Sequence, residues 1–229
     1  GCFVTGTDTG VGKTVVAAAI IARLRGLGAE VRAIKPLITG LEDPPDPDWP
    51  PDHELLARVA GCGPEQVILA GYGPAVSPHL AIELAGKTPP ALEWLADGVR
   101  AVARAGAVTV VEGVGGLLVP LGPDADVRDL AVVLGLPLVI AARPGLGTIS
   151  HTLLTLEAAR SAGLAVAGVV LTPWPRDPSV MEHSNRETIA RRGGVEVATL
   201  PPVARADPQL LRDAGAELPL ERWLADALY

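Results

Sequence analysis

Gly6-Thr7-Asp8-Thr9-Gly10-Val11-Gly12-Lys13-Thr14 stands between an apolar run, Cys2 to Thr5, and an alanine-rich segment, Thr14 to Leu27. The flanks predict a buried strand and a helix. A glycine-rich turn joining the two leaves backbone N–H groups at the positive end of the helix, an arrangement that binds anions. Lys13 supplies a charge for the β- and γ-phosphates of a nucleotide, and Thr14 a hydroxyl for Mg²⁺. The common form of this loop has a glycine five positions before Gly12. That place is Thr7 here, and the glycine stands one residue earlier, at Gly6. The loop is longer by one residue and keeps every group that would touch phosphate.

The same rhythm of strand, loop and helix continues outward. Strands are expected at Glu30 to Ile34, Val67 to Leu69, Val108 to Val111, Leu138 to Ala141, Val166 to Leu171 and Glu196 to Thr199. Helices are expected at Asp52 to Ala60, Ala91 to Ala105, Asp126 to Leu134, Thr148 to Ser161, Ser179 to Arg192 and Pro219 to Leu228. Short, fully apolar strands alternating with helices predict a mostly parallel sheet of about seven strands, covered on both faces. The Pro- and Asp-rich stretch Leu41 to Pro51 is one loop and does not divide the chain. The 229 residues, 48% hydrophobic and 3% aromatic, are read as one α/β domain with an aliphatic core.

A formal charge of −7 argues against nucleic acid or an anionic membrane as partner. Cys2 and Cys62 form no CxxC pair and are expected as small buried residues of a reducing compartment. The longest nearly apolar run, Leu130 to Ala142, is too short to span a bilayer, and a soluble cytoplasmic protein is expected.

In such sheets ligands sit at the carboxyl ends of strands, and the polar residues found there are few. Glu112 follows Val108 to Val111 and precedes Gly113-Val114-Gly115-Gly116, the position of a metal-holding acid with backbone open to a ligand. Only three of 19 basic residues are lysines: Lys13, Lys35 and Lys87. Lys35 opens Lys35-Pro36-Leu37-Ile38-Thr39-Gly40, read as following the second strand, where it and Thr39 could orient a small anion beside the γ-phosphate. Asp52, before a helical run, is either an N-cap or a second metal carboxylate. Ser77-Pro78-His79-Leu80 and Gly147-Thr148-Ile149-Ser150-His151 are polar loop clusters. Neither forms a triad or a zinc site.

Taken together, GTDTGVGKT, KPLITG, Asp52, SPHLA, EGVGGLLVPL, LGTISHTLLTLEA and a late LPPV resemble dethiobiotin synthetases, in the same order and over nearly the whole chain. The resemblance implies a single-domain P-loop NTPase-like α/β fold and a ligase of biotin biosynthesis. Its substrates would be 7,8-diaminopelargonic acid, CO2 and a nucleoside triphosphate such as ATP, with Mg²⁺. Lys13, Thr14 and Lys35 would be catalytic, and Thr14, Asp52 and Glu112 would hold the metal. Gly10 to Val15, Asp52, Glu112 to Gly115, Thr172, Pro173, Pro201, Pro202 and Val203 would line the nucleotide site. Lys35 and Thr39 would meet the reacting end of the substrate. In the homodimer that the resemblance implies, Leu146, Gly147, Thr148, Ile149 and Ser150 would receive the substrate's carboxylate tail from the other subunit. Many members recognise adenine through an Asn after the sixth strand. Here that place reads Leu171-Thr172-Pro173-Trp174, so a relaxed base preference is expected. Two alternatives are an amidotransferase-type synthetase, disfavoured by the lack of a Cys nucleophile motif, and a partitioning ATPase, which usually has a lysine where Thr7 stands.

Overall fold

Cys2–Gly6 (β1) runs through the middle of the sheet, and its side chains alternate between two cores. Cys2 and Val4 point to one face and Phe3 to the other, as the two-residue repeat of a strand requires. The computed structural model describes residues 1–44, 48–103 and 106–224. Along the chain, β1 is followed by α1 (Lys13–Gly26), β2 (Glu30–Ile38), α2 (Asp52–Ala60), β3 (Ile68–Gly71), α3 (Pro78–Leu84) and α4 (Leu92–Val102). Then come β4 (Ala107–Glu112), α5 (Val127–Leu134), β5 (Leu138–Ala142), α6 (Thr148–Ser161) and β6 (Val166–Leu171). The chain closes with α7 (Val180–Gly193), β7 (Val197–Thr199), α8 (Pro208–Ala214) and α9 (Leu220–Trp223).

The seven strands form one sheet in the order β3-β2-β4-β1-β5-β6-β7, with every pairing parallel. This is the α/β P-loop architecture that the sequence leads one to expect. All carboxyl ends share one edge, and the order reverses at β1, which has β4 on one side and β5 on the other. Such a reversal opens a crevice at that edge.

Helices cover both faces because both faces of each strand are apolar. One core gathers Val108, Val110, Val139 and Ala141 under α1 and α2. The other gathers Val111, Leu138, Ile140 and Ala142 under α4 to α7. The alanines of α1 matter here: Ala17, Ala18 and Ala19 are wholly buried, which lets the helix lie close to the sheet with α2 and α8 close on its flanks. Asp126 caps α5 and Ser179 caps α7, each in a reciprocal capping box. No described helix is long and apolar enough to cross a membrane.

Three expectations change. The second strand does not stop at Ile34 but runs to Ile38, so Lys35 lies within it, paired with Ile68 of β3. Pro36 is tolerated because the backbone groups of Lys35 face β3, whereas position 36 faces β4, whose pairing with β2 ended at Ile34. The Ser77-to-Leu80 cluster is no loop. Pro78 is the first residue of α3, a position where its missing N–H costs nothing. Finally, α8 has no counterpart in the sequence reading; Asp207 caps it through the N–H groups of Gln209 and Leu210. Arg104, Ala105 and residues 225–228, expected as helix, lie outside the described residues.

Candidate active site

The turn after β1 is shaped by two glycines. Gly10 and Gly12 have φ of 69° and 90°, the left-handed region that favours glycine. A Cβ at Gly12 would also stand 2.8 Å from the methyl of Thr172 at the end of β6. Among the described residues, none of the backbone N–H groups from Gly10 to Thr14 donates to a backbone carbonyl. A run of such donors at a helix start favours an anion. Lys13 is buried and donates to the carbonyl of Asp8 at 2.9 Å.

Beneath this loop lies a cluster of charges. The Nζ of Lys35 is 2.5 Å from Asp52 Oδ2 and 2.6 Å from Glu112 Oε1, and the Thr14 hydroxyl donates to the same Oε1 at 2.9 Å. Lys35 and Glu112 are almost wholly buried, at 3% and 1% exposure, while Asp52 is partly open at the start of α2. Burial works against the charge on Lys35, but Glu112 and Asp52 outweigh it and hold the ammonium above the ordinary lysine value. Burial likewise opposes the charge on Asp52, and there Lys35 prevails and holds its pKa below the usual carboxylate value. For Glu112 burial prevails and pushes its pKa up, with Lys35 pulling the other way. For Lys13 burial lowers the pKa, with partial compensation from Glu112. The second oxygen of Glu112 is buried without a hydrogen-bond partner.

A cleft of about 650 Å³ opens above the cluster. It brings together Gly10, Gly12, Lys13, Thr14, Val15, Lys35, Thr39, Asp52, Val114 and Gly115. Glu112 lies under it. Val11 turns its side chain into the core, and Gly113 is packed against Phe3, whose ring would stand 2.9 Å from a Cβ there. Thr172, Pro173, Pro201, Pro202 and Val203 lie outside the cleft wall, on two segments joined where Trp174 N–H donates to the Leu200 carbonyl at 2.8 Å. Leu146 to Ser150 also stand apart. There Leu146 is 93% exposed and Thr148 is buried at the start of α6. A second cavity of about 400 Å³ shares Thr9 and Val119 with the first and reaches His151 and Leu154 of α6. Sequence reasoning did not single out Arg143, which donates to the carbonyls of Thr9 and Gly10, or Asn185, which donates to those of Pro144 and Gly145. Only the place of Arg143, directly after a strand, could have drawn attention to it.

The donors that could hold a metal are two carboxylates and a hydroxyl, all oxygen. That set suits Mg²⁺, which takes one or two carboxylates and completes its shell with water and phosphate oxygens. The unpartnered oxygen of Glu112 fits such an ion. Among the described residues there is no group of three or more His, Cys, Asp or Glu that would make a fuller cage.

Comparison with known proteins agrees with this geometry. A family model described as an AAA domain matches residues 1–209. The chain is 43% identical to the ATP-dependent dethiobiotin synthetase BioD of Mycobacterium avium (strain 104), over 89% of this chain and 87% of that protein. It is 42% identical to the protein of the same name from Mycolicibacterium gilvum (strain PYR-GCK), over 85% and 84% of the two chains. With the one from Mycobacterium sp. (strain KMS) it shares 39% over 98% of both. Identity that high, running from one end of both molecules to the other, assigns the whole chain: it belongs to the ATP-dependent dethiobiotin synthetase family.

Proposed function

We propose that the protein, acting as one P-loop domain, closes the ureido ring of dethiobiotin from 7,8-diaminopelargonate, CO2 and ATP. The observation that carries this reading is Lys35, a buried lysine held charged between Asp52 and Glu112 on the floor of a cleft that also contains Lys13 and Thr14. One amine of the substrate adds to CO2 and loses a proton, giving a carbamate. A carbamate oxygen then attacks the γ-phosphorus, and ADP leaves. The second amine attacks the carbonyl carbon of the mixed anhydride, closes the ring and expels phosphate. Once the carbamate has formed, every species up to ring closure is an anion. The work of the protein is therefore to place anions together and offset their repulsion.

Each residue has a part in that task. The N–H groups from Gly10 to Thr14 hold the phosphates, with Val15 beside them. Lys13 exchanges the Asp8 carbonyl for the triphosphate, whose negative charge opposes the lowering of its pKa by burial. Lys35 offsets charge on the carbamate and the transferring phosphoryl group, and Thr39 holds the amine end. Mg²⁺ would be held by Thr14, Asp52 and Glu112, and when bound it would neutralise phosphate charge. Gly113 to Gly115 border the phosphates. Thr172, Pro173, Pro201, Pro202 and Val203 border the base.

A homodimer in the cytoplasm fits the reading, with Leu146 to Ser150 receiving the substrate tail from the other subunit. The exposed side chains of Leu118 and Leu154 at the second cavity, and of Leu146 just before α6, support such an apposition, and sedimentation at equilibrium tests it. The reaction itself is tested by incubating the protein with diaminopelargonate, bicarbonate, Mg²⁺ and ATP. Phosphate release that depends on diaminopelargonate, with dethiobiotin identified by mass, is the expected result. Neither product would reject the reading.

A further inference from the structure

The segment that follows β5 contacts the phosphate loop from behind. Its first residue, Arg143, is placed by strands on both sides: Thr7 N–H donates to the Ala141 carbonyl at 3.0 Å, and Thr172 N–H to the Ala142 carbonyl at 2.9 Å. From there one guanidinium nitrogen, Nη2, reaches the carbonyls of Thr9 at 3.4 Å and Gly10 at 3.3 Å. Both contacts are long and each is weak, but they act on consecutive peptide groups.

In a trans peptide the N–H points opposite the carbonyl. The carbonyls of Thr9 and Gly10 share their planes with the N–H groups of Gly10 and Val11. Drawing both carbonyls toward Arg143 turns those two N–H groups away from it, and neither has a backbone acceptor among the described residues. Gly10 also leaves room for the guanidinium, since a Cβ there would lie 3.3 Å from Nη2.

Arg143 is itself braced. Asn185 of α7, 6% exposed, donates from one Nδ2 to the carbonyls of Pro144 at 2.9 Å and Gly145 at 3.2 Å. A buried carboxamide that spends its donors on two successive carbonyls fixes the path of that turn. A continuous line of contacts thus runs from α7 through Asn185 and the turn to Arg143, and on to the phosphate loop.

We propose that Arg143 and Asn185 are positioning residues for the nucleotide, acting in series. Asn185 sets the turn after β5, and Arg143 holds the peptide planes of the loop so that the N–H groups of Gly10 and Val11 face the phosphates. The proposal rests on the nucleotide-binding reading above and deepens it.

The test uses Arg143→Ala, Asn185→Asp and the double variant, with ATP affinity measured by calorimetry and kcat and KM measured alongside. Asn185→Asp keeps the shape but sets acceptor oxygens against two carbonyls. Each single variant is expected to weaken ATP binding and raise its KM about tenfold, with the KM for diaminopelargonate within about twofold. Because the two act on one path, the double variant should bind ATP no worse than about threefold below the weaker single variant. Arg143→Lys, which keeps a cationic donor, should recover part of the loss. Wild-type affinity in Arg143→Ala overturns the proposal, and that exposed substitution decides the matter even if Asn185→Asp does not fold. Fully additive losses in the double variant overturn the series arrangement. Failure of the wild-type protein to bind ATP would instead strike at the reading on which the proposal rests.

Discussion

At the scale of single residues, Lys35 carries the most consequence. Lys35→Ala removes the cation that stands on Glu112 and leaves that carboxyl buried without it. Turnover is expected to fall by at least about a hundredfold, the effect of deleting one preorganised electrostatic group. Stability at neutral pH should fall by about 3 kcal/mol, the order of cost for a broken buried pair. Burial already pushes Glu112 upward. An acid raised by folding destabilises where it is ionised in the folded state and ceases to do so below its unfolded value. The deficit of the variant against wild type should therefore shrink as pH falls toward the ordinary glutamate range. Denaturant unfolding at two pH values measures this, and a deficit independent of pH would refute it. Thr172 and Pro173 support a different prediction. With a threonine and a proline where many relatives use an Asn for adenine, kcat/KM for ATP, CTP and GTP should show no thousandfold preference for ATP.

At the scale of elements, the C-terminal end illustrates how an anchor works. Trp223 of α9 lies against Gly168 of β6, where a Cβ would come within 2.2 Å of the indole, and its Nε1 donates to Glu196 Oε2 at 3.0 Å. Hydrogen bonding by Arg222 and Trp223 holds Glu196 below the usual carboxylate value. Its contribution is present above the unfolded glutamate pKa and is lost as pH falls through the depressed folded value. The ion pair with Arg222 is exposed and adds little. Glu196→Ala should cost about 1 kcal/mol at pH 7, a drop in Tm of about 2–4 °C that vanishes in acid. Most elements of this kind were legible in the sequence because fully apolar strands and capped helices announce themselves: α2, α6 and β6 begin and end where expected. Where the reading failed, local signals pointed two ways. Pro36 looks like the end of a strand unless one knows which neighbour it faces. The helix α8 is seven residues long, and Asp207-Pro208 reads as a turn as readily as a capped start.

At the scale of the whole molecule, the parallel sheet brings to one edge residues as far apart as Thr14, Lys35, Asp52 and Glu112. Part of that convergence could be foreseen, since Glu112 ends a strand, Thr14 lies in the first turn of the helix after another, and parallel strands end together. Lys35 inside β2 and Asp52 at the start of α2 gave no such signal. What could not be foreseen was which side chain would pair with which, because pairing depends on the depth of each in the cleft. The contacts made by Arg143 and Asn185 were hidden for the same reason. The pairing that results has a consequence for the order in which reactants arrive. Lys13 and Lys35 stand beside Asp52 and Glu112, so the two acids have counter-ions before anything binds. A free dication would meet acids that already have a counter-ion and would be repelled by the two lysines. A dication already joined to a triphosphate brings its own compensation. Mg²⁺ alone should therefore bind far more weakly than Mg²⁺ with ATP, and calorimetric titration of the free ion into the ligand-free protein should give almost no heat. Loading metal and nucleotide together then spares the two lysines a bare dication beside them.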